Sequence, residues 1–194
     1  MIEARDPPPW SPGQPLAGWL RLTGRGVWLI RDAAVEHPSL RAHLNRHYRR
    51  DARGRYFVQN GAQVVFVRLD YTPYVLHLAP DGALVTHTDE SAGAVLAASL
   101  DETGVLTLLT ALGAGRVQEA SLEYFADRIC HGDGRAADEA ALADWMAGSH
   151  DVPTLYLDLP QGRLLLERCP SAQLPARFDF VRDPGQQYGD TDSP

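Results

Sequence analysis

The chain has 194 residues, of which 18 are basic and 25 acidic, so its formal net charge is −7. Its 44% hydrophobic and 22% charged residues are typical of a globular protein and exclude a wholly disordered or collagen-like chain. The negative charge argues against a protein that coats nucleic acids. All 18 basic residues are arginines; the absence of lysine excludes Schiff-base chemistry, a lysine base and a nucleoside-triphosphate P-loop.

Cysteine usage and hydropathy indicate the compartment. Cys130 and Cys169 stand alone, without the close pairing of a redox or zinc motif, and such sparse thiols are typical of a reducing compartment. The N-terminal residues do not resemble a secretory signal, and the longest aliphatic stretches, such as Val64–Val67, are too short to span a bilayer. We expect a cytoplasmic protein that contacts no membrane and uses neither a cofactor nor a metal.

In the first half of the chain, proline and glycine separate short apolar segments. Residues 7–15 hold five prolines in nine positions, which predicts an extended arm that Trp10 anchors to the body of the same chain. A helix is expected to begin at Pro38, because the amide that proline lacks would be unpaired in the first turn. Its spacing places Leu40 and Leu44 on the inner face. The expected strands are 27–30, 56–59, 63–69, 74–78 and 84–86, with Asn60-Gly61 as a hairpin turn.

The second half shows a similar alternation of strands and helices. The apolar periodicity predicts helices over residues 121–130 and 137–146. The segments with strand character are 105–110, 155–159, 163–169 and a last short strand at 178–181. A turn is expected at 113–115, and residues 183–194 lack aliphatic side chains, which predicts a frayed tail.

The two halves share an order of local signals, which predicts an internal duplication. Gly26-Val27 corresponds to Gly104-Val105, and Tyr56-Phe57 corresponds to Tyr156-Leu157. Between these pairs, residues 39–46 correspond to residues 121–128. A chance resemblance stays open, since strand, helix and hairpin are a common order. The predicted organisation is an arm over 1–18, an N-terminal α+β subdomain over 19–100, a C-terminal one over 101–182 and a flexible tail over 183–194. Each subdomain is expected to be a small antiparallel sheet packed with one or two helices.

Several short motifs resemble one known family. They are Gly26-Val27-Trp28, the helix after Pro38, residues 51–56 (DARGRY) and residues 67–74 (VRLDYTPY), continued by 81–84, 103–106 and 123–125. With these features the sequence resembles the uncharacterised bacterial family Domain of Unknown Function 1285. The resemblance implies two similar α+β subdomains, a part in signalling or regulation, and a hairpin strand closed by Asp70, Pro73 and Tyr74. It supplies no catalytic residue.

The charge is distributed unevenly along the chain. Residues 1–60 hold ten arginines and five acidic residues, whereas residues 61–194 hold eight and twenty. The arginines that cluster at the end of the predicted helix are Arg46, Arg49, Arg50, Arg53 and Arg55. Guanidinium groups match carboxylate and phosphate geometry, so this cluster is a candidate site for an anionic ligand or an acidic protein surface. The alternative is a solvated face that complements the helix dipole. No aromatic motif of a nucleic-acid binder accompanies the arginines.

Other residues with reactive side chains favour structural roles. His43 and His47 are four apart on a helix, but a zinc site needs a third ligand, and Cys130 cannot easily reach its neighbour His131. Asp70 with His77 or His87 could form an acid–base pair, although an aspartate that stabilises the following turn is the simpler interpretation. No motif of a known hydrolase or dinucleotide-binding enzyme is present.

These observations favour a non-enzymatic binding module over an enzyme. We expect it to recognise an anionic small molecule or an acidic protein surface, at the arginine cluster or in a cleft between subdomains that includes Asp70, Tyr74 and His77. The alternative is a hydrolase with an Asp/His pair in that cleft. A homo-oligomer stays open, and nucleic acid is disfavoured.

Overall fold

A computed structural model describes residues 15–148 and 154–187 of the chain. The predicted arm therefore lies outside the described residues up to position 14, and so does the predicted tail from position 188. In the described part, fourteen strands form two sheets, and the α-helices are α1 (Pro38–His47), α2 (Leu122–Ala126), α3 (Glu139–Ala147) and α4 (Leu174–Arg177). None of these helices is long and apolar enough to cross a membrane.

The first sheet has six strands from the first third of the chain. They are β1 (Leu16–Leu22), β2 (Trp28–Ile30), β3 (Ala33–Ala34), β4 (Tyr48–Arg50), β5 (Tyr56–Asn60) and β6 (Gln63–Leu69), in the spatial order β3-β2-β1-β6-β5-β4. The Asn60-Gly61 turn joins β5 to β6 as predicted, with Asn60 opposite Gln63. The centre of the sheet is a parallel pair in which Leu20 lies opposite Val67.

The second sheet has eight strands from the rest of the chain. They are β7 (Tyr74–Leu78), β8 (Leu84–Thr86), β9 (Val95–Leu100), β10 (Leu106–Thr110), β11 (Ala114–Val117), β12 (Ile129–His131), β13 (Leu155–Leu159) and β14 (Gly162–Arg168). Their order is β12-β13-β14-β9-β10-β11-β7-β8, with parallel pairing between β14 and β9 and between β11 and β7. The boundary predicted between residues 100 and 101 falls between two paired strands of this sheet.

The two sheets share a strand order. In each, three antiparallel strands are followed by a helical segment and three more antiparallel strands, and the sixth strand pairs in parallel with the first. The predicted α+β class with two sheet-bearing subdomains is confirmed. The prediction of purely antiparallel sheets is wrong, because the crossovers through α1 and α2 let distant strands pair in parallel.

Several local predictions were wrong in ways that the structure explains. The helix expected over 121–130 ends at Ala126, because Ile129 and Cys130 pair with β13 as strand β12. Of the turn expected at 113–115, only Gly113 lies in the turn, because Ala114 and Gly115 begin β11. No strand forms at 178–181; the chain there follows α4, and Phe178 and Phe180 are buried.

The C-terminal part of the described chain packs back on the first sheet. The Leu69 amide donates to the Arg182 carbonyl at 2.8 Å, and the Val181 amide donates to the Gly54 carbonyl at 2.9 Å. Residues 184–187, predicted to be frayed, form a 3-10 helix against β1 and β6.

One hydrophobic core runs through both sheets. Leu22 from the first sheet and Leu76, Leu108 and Leu157 from the second have no exposed surface. The turn between β10 and β11 approaches the first sheet so closely that a Cβ on Gly113 would lie 2.8 Å from the Tyr56 hydroxyl. The sheets are therefore in direct contact, and a cleft forms only along part of their boundary.

Candidate functional site

The cleft between the sheets is divided by the loop that joins β1 to β2. This loop, residues 23–27, is held by hydrogen bonds between its own ends, from the Thr23 amide to the Val27 carbonyl and from the Gly26 amide to the Thr23 carbonyl. Gly26 has a φ of +80°, and a Cβ there would lie 3.1 Å from the Cβ of His87. Glycine thus allows the loop to touch the second sheet and to separate two cavities.

The first cavity, which we call the arginine cavity, has a volume of about 210 Å³. Its lining residues are Gly24, Arg25, Val75, Arg116, Gln118, Glu119 and Ala120. At its mouth, the exposed side chains of Arg25 and Glu119 form a loose ion pair at 3.7 Å. The volume suits a single carboxylate or phosphate group better than a drug-sized molecule.

Arg116 is the distinctive residue of the arginine cavity. It projects from β11, is half-buried, and forms no ion pair within the described part of the chain. Its Nε atom is inaccessible to solvent and has no hydrogen-bond partner. A buried guanidinium nitrogen without a partner is unfavourable, so an anion in the cavity would complete its interactions.

The surroundings of Arg116 are rigidly held. Its guanidinium lies 5.8 Å from the centroid of the Tyr71 ring, and that of Arg182 lies 5.4 Å from the same ring. The Tyr71 hydroxyl donates to Asp101 Oδ2 at 2.8 Å. Although its partial burial raises the pKa of Asp101, hydrogen bonds from the Val105 amide, Tyr71 and Thr103 hold that pKa below its ordinary value. Asp101 is thus ionised at neutral pH and fixes Tyr71 beneath the cation.

The second cavity, which we call the helix cavity, lies on the other side of the loop and has a volume of about 310 Å³. Pro38, Arg41, Ala42 and Asn45 form its wall on α1, at a spacing that places them on one helix face. The remaining lining residues are Gly26, Trp28, His87 and Asp89. Asn45 connects α1 to the residues opposite it. Its Oδ1 accepts a hydrogen bond from Trp28 Nε1 at 2.7 Å, and its Nδ2 donates to the His87 carbonyl at 3.1 Å.

His87 forms the floor of the helix cavity and is held neutral. The Val75 amide donates to its Nδ1 at 3.4 Å, while its Nε2 is inaccessible and has no hydrogen-bond partner. The rings of Trp28, Tyr48 and Tyr74 lie between 5.7 and 6.0 Å from the imidazole. Burial, with a smaller effect of nearby His77, lowers the pKa of His87 to about 3. A histidine this hard to protonate is a poor general base at neutral pH.

The tyrosines beside His87 are also structural. Burial raises the pKa of Tyr48 and of Tyr56, and it raises the pKa of Tyr74 to about 12. The Tyr48 hydroxyl donates to the Pro73 carbonyl at 2.9 Å, which links the first sheet to the segment before β7. These phenols stay protonated, so the cluster joins the two sheets and supplies no activated nucleophile.

The predicted arginine cluster is dispersed in the structure. Arg46 lies in the last turn of α1, and Arg49 donates to the Tyr48 carbonyl. Arg53 is exposed in a turn. The other two form ion pairs, Arg50 with Asp179 and Arg55 with Asp51 at 2.7 Å. The Arg55 guanidinium also lies 4.3 Å from the centroid of the Phe66 ring. None of the five arginines lines the arginine cavity or the helix cavity.

The residues predicted to line the cleft are also separated. Asp70 pairs with Arg21 at 3.0 Å, and Tyr74 belongs to the aromatic cluster. His77 lies on β7 opposite Val85. Within the described residues, no hydrogen bond or ion pair joins His77 or His87 to a carboxylate, so the Asp/His pair of the hydrolase alternative is not assembled.

The metal-binding and thiol candidates also lack reactive partners. The rings of His43 and His47 lie 4.5 Å apart, yet the part of the chain that the structure describes contains no group of three side chains able to hold a metal. Cys130 and Cys169 are free thiols, and both are buried.

Sequence reasoning missed Arg116 because the start of β11 was interpreted as a turn over 113–115 and no strand was predicted after it. Its neighbours Ala114, Gly115 and Val117 carry no chemical signal, and its importance depends on contacts with Tyr71, 45 positions earlier. The sequence gives no indication that Gly24 is important either, although a Cβ at this position would lie 3.2 Å from Arg116 Nη1.

Comparisons with known proteins place the chain in a family. A DUF1285 family protein from Silicibacter pomeroyi DSS-3 has the same fold, with 20% identity, a TM-score of 0.50, and coverage of 68% of this chain and 82% of that one. A DUF1285 family protein from Shewanella baltica OS155 matches with 14% identity and a TM-score of 0.39, over 55% and 89% of the two chains. The predicted resemblance to that family is thus confirmed for the fold.

A comparison with curated proteins finds no match. A family model does match, and it spans residues 9–185. The chain therefore belongs to the family described as Protein of unknown function (DUF2946).

Proposed function

We propose that the protein is a non-enzymatic module that binds a small anionic ligand in the arginine cavity. The single observation that carries this proposal is Arg116, a half-buried cation with an unpartnered Nε and no ion pair in the described residues. Desolvating a cation without a partner is costly, and proteins retain such groups where a ligand supplies the missing charge. A guanidinium binds carboxylate and phosphate groups through paired hydrogen bonds, which defines the ligand class.

The shape of the cavity supports an anion at this position. Gly24 brings the loop to within contact of Arg116 Nη1, and a larger residue would displace the guanidinium. The exposed Arg25 side chain can turn from Glu119 toward an anion, because an exposed ion pair at 3.7 Å is weak. The cavity is lined by two cationic side chains and one acidic side chain.

The shared strand order supports the further proposal that the chain arose by duplication. The hairpin β7–β8 lies outside the repeated pattern and pairs with β11, the strand that carries Arg116. The candidate site thus combines a repeated strand with an added hairpin. A regulatory role, a cytoplasmic location and recognition of an acidic protein surface by the dispersed arginines belong to the same set of proposals.

The binding proposal is tested by calorimetry and thermal unfolding with inorganic phosphate and a series of mono- and dicarboxylates. A ligand that binds only the folded state stabilises it by about 2.7 kcal/mol when its free concentration is 100 times its Kd. We expect Arg116→Met to abolish both the heat of binding and the ligand-dependent shift in Tm. Without ligand, this variant should be as stable as the wild type or more so, because the orphaned Nε is removed.

Two control variants separate this site from the others. Arg41→Met changes the helix cavity, and Arg53→Met removes an exposed arginine of the predicted cluster. Both should bind as the wild type does. Retained binding by Arg116→Met, or no binding of any anion in the series, would refute the proposal. Loss of binding in Arg53→Met alone would move the site to the arginine cluster.

A further inference from the structure

An apolar groove lies between helix α1 and the first sheet, on the side of the helix away from the helix cavity. Its volume is about 210 Å³, and its lining residues are Leu16, Trp19, Leu20, Ile30, Leu40, His43, Leu44, Val58, Asn60 and Val65. Apart from His43 and Asn60, these side chains are apolar. The groove is therefore a hydrophobic surface with two polar groups at its sides.

Two of the large side chains at this groove are unusually exposed for their type. Leu40, which the helical spacing placed on the inner face of α1, is 39% exposed, and Ile30 is 36% exposed. Both line the groove, Leu40 from the helix and Ile30 from β2. Exposed aliphatic groups that converge on one concave surface indicate an apolar occupant.

We propose that Trp10 of the same chain inserts into this groove. The groove begins at Leu16, the first residue of β1, and Trp10 lies six positions earlier. Six extended residues reach at most about 20 Å, whereas the groove side of β1 from Leu16 to Leu20 measures about 13 Å. The family match begins at residue 9 and therefore includes Trp10.

The chemistry of the segment fits this occupant. A cavity of about 150 Å³ is known to hold a benzene ring, so the groove can accommodate much of an indole. Five of the nine residues 7–15 are prolines, which have no amide donor, so this segment would leave fewer amides unpaired on an apolar surface than an ordinary segment would. His43 and Asn60 supply acceptors for the indole N–H, which usually finds a partner when buried.

The proposal is tested by ¹⁹F NMR of the full chain labelled with 5-fluorotryptophan. The chain has four tryptophans, and Trp10→Phe assigns the Trp10 resonance. A soluble gadolinium chelate then measures its exposure. We expect the Trp10 resonance to be broadened several-fold less than that of a labelled peptide with the sequence of residues 1–15, and this protection should persist through a dilution series.

Matched variants locate the binding surface. Leu40→Glu places a charge in the groove and should expose Trp10 to the chelate as fully as in the peptide. Leu96→Glu is the control, because Leu96 is a 57% exposed leucine on β9. Ile30→Glu repeats the test from the sheet side, in case the helix variant changes the fold of α1.

Three results would overturn the proposal. The first is a Trp10 resonance that is as accessible in the wild type as in the peptide. The second is protection that survives both Leu40→Glu and Ile30→Glu, which would place Trp10 elsewhere. The third is protection that disappears on dilution together with a dimer in sedimentation, which would make a second copy of the chain the occupant.

Discussion

His87 is expected to make the stability of the protein depend on pH in the mildly acidic range. In the folded protein, the Val75 amide donates to Nδ1, and the Nε2 side faces the aromatic cluster. Protonation of Nδ1 would place a donor opposite this amide, and no acidic side chain contacts the ring within the described residues. The pKa of His87 in the fold is thus about 3, whereas that of an unfolded histidine is 6.5.

The sign and size of the effect follow from these two pKa values. Because the unfolded chain binds the proton first, the contribution of His87 is fully present above pH 6.5 and is lost as the pH falls from 6.5 toward 3. At pH 5 the loss is about 2 kcal/mol, which corresponds to about 4–8 °C in Tm for a chain of this size. This is a substantial part of the stability of a typical domain.

Urea unfolding between pH 8 and pH 5 measures this loss directly. His87→Gln retains an acceptor for the Val75 amide but cannot titrate, so its free energy of unfolding should fall by about 2 kcal/mol less than that of the wild type over this range. His37→Gln replaces an exposed histidine just before α1; it is the matched control and should keep the wild-type pH dependence. An identical pH dependence in His87→Gln and the wild type would refute the reasoning.

Two further substitutions test how the first sheet and the cleft are held. Gly54→Ala should lower the urea midpoint more than Gly82→Ala: both glycines have a positive φ, but only at Gly54 would the new Cβ lie 2.7 Å from a backbone oxygen, that of Asp179. The expected costs are about 1 kcal/mol for Gly82→Ala and clearly more for Gly54→Ala. Asp101→Asn should cost about 1–3 kcal/mol and should shift the near-UV circular dichroism of Tyr71, whose hydroxyl donates to this carboxylate; an unchanged urea midpoint would contradict the role assigned to Asp101.

Local elements were predictable where a few neighbouring residues determine them. Asn60-Gly61 specifies its hairpin because both positions tolerate a turn conformation, and β5 and β6 pair around it as expected. Pro38 marks the first turn of α1 for a similarly local reason. Leu40 shows the limit of such reasoning, since helical spacing cannot tell whether another element covers the predicted inner face.

Strand pairs between distant parts of the chain were not predictable from local patterns. β1 contains Gly18 and follows a proline-rich segment, so it carried no strand signal, yet it lies at the centre of the first sheet beside β6. Ile129 and Cys130 fit the apolar face of a helix equally well, and pairing with β13 decides their conformation. In both cases the deciding contacts come from residues about 25 or more positions away.

The density of arginine along the chain predicted a binding site at the end of α1, but it does not measure free positive charge in space. Arg50 is neutralised by Asp179, which is 129 residues away, and Arg55 by Asp51. Arg116, by contrast, has no neighbouring arginine in the sequence, and no acidic side chain among residues 15–148 and 154–187 forms an ion pair with it. Only the structure distinguishes a paired cation from an unpaired one.

The position of the arginine cavity follows from the way in which the two sheets differ. In the first sheet β3 is an edge strand of two exposed residues, whereas its counterpart β11 in the second sheet is paired with β7. That added pairing brings Val75 beside Arg116 and places Tyr71, just before β7, under the guanidinium. If the halves arose by duplication, the proposed anion site belongs to the second half alone, because the first sheet has neither the added hairpin nor an arginine at its edge strand.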